Sequence, residues 1–391
     1  MSNGKLASHP GGTPLGYMPQ LDGLRALAVV GIWFVHWGIA QEPYFRCVEW
    51  GRLAVWMFFV LSGFLITGIL YKSKNDVEAG KRLATTGARI FYARRLLRIL
   101  PIYYLTIFAT ALMIPDVRRL FWWHLTFTTD FWATLNHHEY PWGIHFWTLA
   151  VEEQFYLTWP WLVLLLPRKR IVGFLLALCG CSLAYRAVVH LAGLSTTLAV
   201  ALPLPLLGNV DKFGLGALLA TFRANHDVRG ERRLIQVGLF IGLPLMLFFE
   251  VLQGRAVHLS RPQDTPVYLA FASTTGGMFF VWVVARASIG FGGVGRVLAL
   301  RPVIFMGKMS YSVYLFHMFV PPILWRVTTK LHIPLPPGVW ERFFVYASVT
   351  LAAGTASWYL IESPINSLKR RFKVAPQERT AMPAPAPVMT T

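Results

Sequence analysis

The sequence predicts an all-α, polytopic transmembrane bundle of about ten spans with both termini in the cytoplasm, and three observations lead there. The 391 residues are 55% hydrophobic and only 14% charged, with a mean hydropathy of +0.49, whereas a soluble domain carries about 25% charged residues. Apolar runs of roughly 17 to 22 residues recur along the whole length, each long enough to cross a bilayer as a helix. No alternating pattern suggests a barrel, the other architecture that satisfies its backbone in lipid. The basic residues, finally, alternate from side to side. Of 37 Lys and Arg, 25 fall on one side of the predicted spans, nine on the other, and three (Arg186, Lys212 and Lys308) within spans. Positive residues gather on the cytoplasmic side, which explains the net charge of +19 without nucleic acid as a partner. The expected location is the cell (inner, cytoplasmic) membrane.

Residues 1–20 are rich in Gly and Pro and are expected to be flexible. The first span, about 21–40, lacks a small-residue cleavage site and is read as uncleaved. It runs LDGLRALAVVGIWFVHWG. Its Arg25 and His36 fall on one helical stripe, three turns and roughly 16 Å apart. The second span, about 52–71, carries Ser62 and Gly63, which suit close helix packing. Before the third span, about 99–115, stands ARRLLRILPIYYL. Arginine forks suit phosphate oxygens, and Pro101 near a helix start would place free N–H groups beside Arg94, Arg95 and Arg98. Ordinary positive-inside decoration produces the same pattern.

The outer segment 116–145 holds His124, His137, His138 and His145 among many aromatics, as membrane interfaces do. The fourth span, about 146–166, opens WTLAVEEQFYLTWP. An ionised carboxylate in hydrocarbon costs on the order of 3 kcal/mol, so Glu152 and Glu153 are expected to face a partner or a cavity. The loop charges put them in the outer half of the bilayer at the depth of His36. A carboxylate beside an imidazole fixes its tautomer and stabilises the imidazolium, as a general base requires. The pair is about 100° apart on the helix, so one of the two faces the cavity.

Spans five to eight are placed near 171–190, 199–221, 234–252 and 266–285. Cys47, Cys179 and Cys181 make no zinc or disulfide pattern, and no metal site is read. The ninth span, about 303–325, contains GKMSYSVYLFHMF, where Ser310, Tyr314 and His317 share a face. They are candidates for a cavity wall or support, although interhelical hydrogen bonding explains them equally. The tenth span is about 343–361, so the transmembrane domain covers 21–365 and a basic, then disordered, tail covers 366–391.

Six stretches together resemble the acyltransferase-3 family of integral membrane O-acyltransferases. They are LDGLRALAVVGIWFVHW, FFVLSGFLI, ARRLLRILPIYYL, WTLAVEEQFYLTWP, GKMSYSVYLFH and YLIESP, in family order from residue 20 to about 365. The resemblance implies transfer of an acyl group, most often acetyl, from cytoplasmic acyl-CoA to a hydroxyl of a cell-surface or lipid-linked glycan. It implies His36 as the catalytic histidine, Arg25 as its companion, Arg95 and Arg98 as holders of the donor, and Glu152 as the favoured acid. Acyl-CoA is then a co-substrate and no cofactor is expected. Two positions depart from the family pattern, Thr148 and Ser363, and neither is expected to touch the chemistry. Many members append a hydrolase-like domain after the tenth span, and none is expected from this sequence. Bacterial origin is expected.

Three other readings compete. Within the enzyme class the acceptor could be a small secondary metabolite such as a macrolide, or a peptide or lipid hydroxyl. Intramembrane His and Glu also fit a proton-coupled secondary transporter, against which stands the lack of an internal repeat. A scaffold or lipid-binding membrane protein would tolerate loss of His36 and Glu152.

Overall fold

The computed structural model describes residues 17–46, 48–136, 141–191, 205–258 and 266–369, and these residues form helices and connecting turns without a strand among them. His137, His138 and Cys47, the N-terminal segment to residue 16 and the tail from 370 lie outside the described residues.

Apolar composition decides which helices can cross a bilayer. Among the described residues six are long and apolar enough: Trp50–Glu78, Ala84–Met113, Arg168–Leu191, Val228–Gly254, Pro266–Ser288 and Val339–Ser367. The other expected spans are shorter or more polar. α1 (Pro19–His36) holds Arg25 and His36, and α7 (Phe146–Leu165) holds Glu152 and Glu153. α2 (Trp50–Glu78) and α3 (Ala84–Met113) extend well past the hydrocarbon-length stretches expected from hydropathy. Pro101 therefore lies inside α3 rather than near its start. Hydropathy locates the apolar part of a helix and not its ends, so the free N–H groups expected beside Arg95 and Arg98 are absent there.

Three short helices, α4 (Pro115–Arg119), α5 (Phe121–Leu125) and α6 (Thr129–Leu135), fold the segment before α7 into a cap that buries His124 and Asp130. α8 (Arg168–Leu191) follows, then α9 (Val210–Ala224). A π-turn, Gly238–Gly242, joins α10 (Val228–Val237) to α11 (Leu243–His258), and α12 is Pro266–Ser288.

The expected ninth span is not one helix. After α13 (Gly292–Leu298) it divides into α14 (Arg301–Lys308), α15 (Ser310–Phe316) and α16 (Val320–Leu331), with a break at His317–Phe319. Pro321 and Pro322 occupy the start of α16, where proline is tolerated because the first N–H groups have no intrahelical partner. α17 (Val339–Ser357) runs through a π-turn, Trp358–Glu362, into α18 (Ser363–Ser367).

Lipid gives helices no hydrophobic reason to associate, so close backbone approach and interhelical hydrogen bonds hold them. α2 and α9 meet through Gly63, against the Phe213 carbonyl, and Gly216, against the Val60 carbonyl. A methyl group at either position would strike backbone. Phe213 then stacks on Phe59 at 4.5 Å and on Phe155 at 4.2 Å, tying α9 to both α2 and α7. Lys74, expected in a loop, is buried near the end of α2 and donates to Leu166 O at 2.8 Å, capping the last turn of α7. α1, α2, α3, α7 and α15 enclose the space in which most of the sequence-predicted site residues collect.

Candidate active site

A cavity of about 90 Å³ lies among these five helices. Arg25, Arg95 and Arg98 line one end, Ser62, Glu152, Glu153 and Tyr156 the middle, and Thr148, Ser310 and Tyr314 the rest of the wall. Arg25 is oriented by Asp22 Oδ1 at 3.1 Å, and Asp22 in turn accepts from Tyr17 OH at 3.0 Å. Arg95 sits over the Tyr156 ring, 4.9 Å from its centroid. Among the described residues no carboxylate lies within ion-pair distance of Arg95 or Arg98, so the arginine end carries unpaired positive charge. Arg94 is exposed and does not line the cavity. The tail of α18 adds a further cation. Burial, reinforced by the charges of Arg98, Arg95 and Arg94, pushes the Lys369 ammonium, beyond the last spanning segment, down to about 8.

Glu152 does not meet His36. Ser62 Oγ donates to Glu152 Oε1 at 2.7 Å, and Ser62 also lies 3.4 Å from Tyr156 OH. Equal depth in the bilayer, which the loop charges supplied, says nothing about which way two side chains face. Ser62, read as a packing residue, is thus part of the polar lining. Glu153 lines the same cavity and also borders a groove with Tyr104 and Gln154.

The partner of His36 is His317. His36 is the last residue of α1, exposed, and its Nδ1 lies 2.7 Å from His317 Nε2. The break after α15 makes this contact: the Tyr314 carbonyl takes a hydrogen bond from His317 Nδ1 at 2.5 Å, and Trp37 Nε1 donates to the His317 carbonyl at 3.1 Å. The tautomers follow from these partners. A carbonyl can only accept, so His317 Nδ1 carries a hydrogen and, in the neutral ring, Nε2 carries the lone pair. His36 Nδ1 is then the donor, which leaves the lone pair of His36 on Nε2.

A wall separates the two histidines from the cavity. Tyr314 OH lies 2.6 Å from Thr148 Oγ1 and donates to the His145 carbonyl at 3.0 Å, and its ring stands 5.3 Å from that of His317. Ser310 and Tyr314 therefore face the cavity while His317 faces His36, so the shared face of the ninth segment is split between the two sides. Thr148, one of the departures from the family pattern, stands in this wall. His145 was treated as part of an aromatic-rich loop, yet its buried ring packs 5.0 Å from His317 and donates from Nε2 to Leu315 O at 3.2 Å. Its place immediately before the fourth span was the available signal.

Comparisons with known proteins identify the family. The family described as an acyltransferase domain matches residues 18–362. Peptidoglycan O-acetyltransferase OatA of Listeria monocytogenes is 26% identical, over 89% of this chain and 56% of the relative. YrhL of Bacillus subtilis, whose name marks it as a candidate peptidoglycan O-acetyltransferase, is 27% identical over 90% and 55%. A candidate O-acetyltransferase of Staphylococcus aureus strain MRSA252 is 26% identical over 92% and 60%. The chain thus spans little more than half the length of the curated relatives it matches. No solved structure matches it. With the family match running from the helix that carries Arg25 and His36 to Glu362 in the last π-turn, the chain belongs to the acyltransferase-3 family.

Proposed function

We propose that this protein is a membrane O-acyltransferase that moves an acyl group, acetyl in the first instance, from cytoplasmic acyl-CoA to a hydroxyl of a cell-surface or lipid-linked glycan. The observation that carries the reading is the contact between His36 and His317: Nδ1 is held by His317, and Nε2 remains for a substrate proton. The fold has about ten membrane passes with both termini cytoplasmic, the arginine end of the cavity opening inward and His36 lying toward the outer face. The glycan acceptor takes its chemistry from the peptidoglycan O-acetyltransferases named among the relatives.

Arg95 and Arg98, with Arg25 and Lys369 beside them, bind the phosphates of the coenzyme and leave the pantetheine arm to carry the thioester along the cavity. Glu152 and Glu153 lie deeper and offer the phosphates no cationic partner, so the phosphates stay at the arginine mouth. The thioester passes the Tyr314 and Thr148 wall as Tyr314 turns aside. His36 Nε2 removes the proton of the acceptor hydroxyl, the alkoxide oxygen attacks the thioester carbonyl, and CoA leaves as thiolate and is protonated to the thiol. The imidazolium is stabilised through Nδ1–H donating to His317 rather than to Glu152. Orientation of the two substrates supplies much of the acceleration.

The test is release of free CoA thiol from acetyl-CoA by the purified full chain in nanodiscs, with and without glycan oligomers. Thiol release that rises with an acceptor, matched by acetyl on the acceptor, is the expected result. Ion-coupled uptake by the same protein without thiol release would instead establish a transporter. Arg98→Ala is expected to raise the KM for acetyl-CoA on the order of tenfold or more, since a charge-assisted hydrogen bond contributes about 1.5–3 kcal/mol. Arg94→Ala, at an exposed position, is expected to change it far less, and equal effects of the two would dissociate the donor site from this cavity.

A further inference from the structure

The break that brings His317 to His36 leaves the end of α15 to be capped. The last carbonyls of a helix have no intrahelical donor, and buried backbone groups are almost always paired by some other means. Val313 O takes the backbone N–H of His317 at 3.2 Å, and Phe316 O that of Phe319 at 2.9 Å. The two carbonyls between them take imidazole N–H groups instead. His317 Nδ1 donates to Tyr314 O at 2.5 Å, and His145 Nε2 donates to Leu315 O at 3.2 Å.

His145 belongs to another element, as the residue that leads into α7, and it grips the end of α15 twice. Its own carbonyl takes the hydroxyl of Tyr314 at 3.0 Å, while its ring reaches the neighbouring Leu315. The buried ring stands edge-on to that of His317, 5.0 Å between centroids at 75°, with Phe146 and Phe319 at 4.4 and 5.4 Å. Packing alone does not call for an imidazole here. A carbonyl can only accept, so the hydrogen of the neutral ring sits on Nε2 and the lone pair on Nδ1. That Nδ1 is buried and, among the described residues, has no hydrogen-bond partner. A phenylalanine would fill the same space without burying an unsatisfied nitrogen, so what the imidazole contributes is its bond to Leu315.

We propose that His145 is a positioning residue: by holding the Leu315 carbonyl it fixes the turn that presents His317 Nε2 to His36 Nδ1. Three imidazoles then act in series. His145 sets the turn, His317 accepts from His36, and His36 keeps its lone pair on Nε2. Without the first bond Leu315 O has to find another donor, the turn at 314–317 shifts, and His36 loses the acceptor that selects its tautomer. The consequence for rate rests on the O-acyltransferase function proposed above, whereas the consequence for the tautomer of His36 does not.

The tautomer is read from nitrogen-15 spectra of the histidine-labelled full chain in nanodiscs. The signal of the Nδ1–H that His36 donates is the one absent from both His36→Ala and His317→Ala. His145→Phe, which keeps a ring and loses the donor, is expected to lose it, and His145→Gln, whose amide N–H can reach Leu315 O, to retain it. In turnover His145→Phe should lower kcat by about 10- to 100-fold, as a displacement of about an ångström can, with the KM for acetyl-CoA unchanged. His145→Gln should recover most of that rate. In a His317→Ala background His145→Phe should cost little more, because its effect passes through His317. Acetyl-CoA affinity certifies folding, and His145→Asn, whose amide stops short of Leu315, takes the place of His145→Phe if that variant does not fold. A signal missing from the wild type or persisting in His145→Phe, an unchanged rate, or losses that multiply in the double variant each overturn the role. The expected spectra without thiol release by any of the proteins would keep the positioning role and remove the acyltransferase reading.

Discussion

Replacing His36 with alanine is expected to lower acyl transfer on the order of 10²- to 10⁴-fold, the range a positioned general base contributes, with acetyl-CoA affinity nearly unchanged. The phosphates that hold the donor bind in the arginine-lined cavity, which His36 does not line, so most of the donor's binding contacts survive its removal. His317→Ala should also lower kcat, by less, because His36 then loses the acceptor that keeps its hydrogen on Nδ1. His317→Gln discriminates position from mere packing. An amide oxygen can accept from His36 and its NH₂ can donate to the Tyr314 carbonyl, so this variant should recover part of the rate and restore the wild-type pH–rate profile. Thiol release with saturating acceptor, followed across pH, checks all three. Full transfer by His36→Ala in a preparation free of the native enzyme would remove the general-base role.

The second large effect concerns stability. Asp211 on α9 is fully buried between Arg186, whose Nη2 lies 2.8 Å from Oδ2, and Lys212, whose Nζ lies 3.0 Å from Oδ1. Ser182 and Thr274 donate to the same carboxylate, at 3.2 and 2.7 Å. Asp211→Ala leaves two buried cations without a counter-charge, and breaking a buried pair in this way costs about 3–5 kcal/mol. A large fall in thermal midpoint in detergent, together with loss of folded protein from the membrane, is the expected outcome. Lys212→Met should be much milder, because Asp211 keeps its two bonds from Arg186. Equal losses in the two variants would mean that the charges are not acting as a cluster.

The spans were legible where composition alone decides them, as in α2, α3, α8 and α12. The broken ninth segment was not, although its signal was present: Pro321 and Pro322 follow His317 by four and five residues, and a proline pair that deep in an apolar run marks the start of a second helix. Hydropathy averages over such a break. The residues that gather at the site, Arg25, Arg95, Glu152 and Tyr314, could be named because charge and tyrosine are conspicuous in hydrocarbon. Their pairing could not, since charge counting in loops gives depth but not azimuth, and His36 found His317 instead of Glu152. Asp211, Lys212 and Arg186 show the same limit. Two of them entered only as basic residues inside spans, and a motif spread over α8 and α9 has no signature until the helices pack.

The division of the ninth segment into α14, α15 and α16 has a consequence for biosynthesis. Ser310, Tyr314 and His317, the residues that give the segment its place in the site, weaken its partition from the translocon into lipid together with Lys308, and no piece of it reaches the roughly 20 residues that cross a bilayer unaided. Its stable placement depends on surfaces made earlier and later in the chain: the end of α1, where His36 and Trp37 bind His317, and α17, which packs against α15. The nascent protein therefore completes this part of its topology only after α17 has emerged, and the two histidines are brought together as one of the last events of assembly.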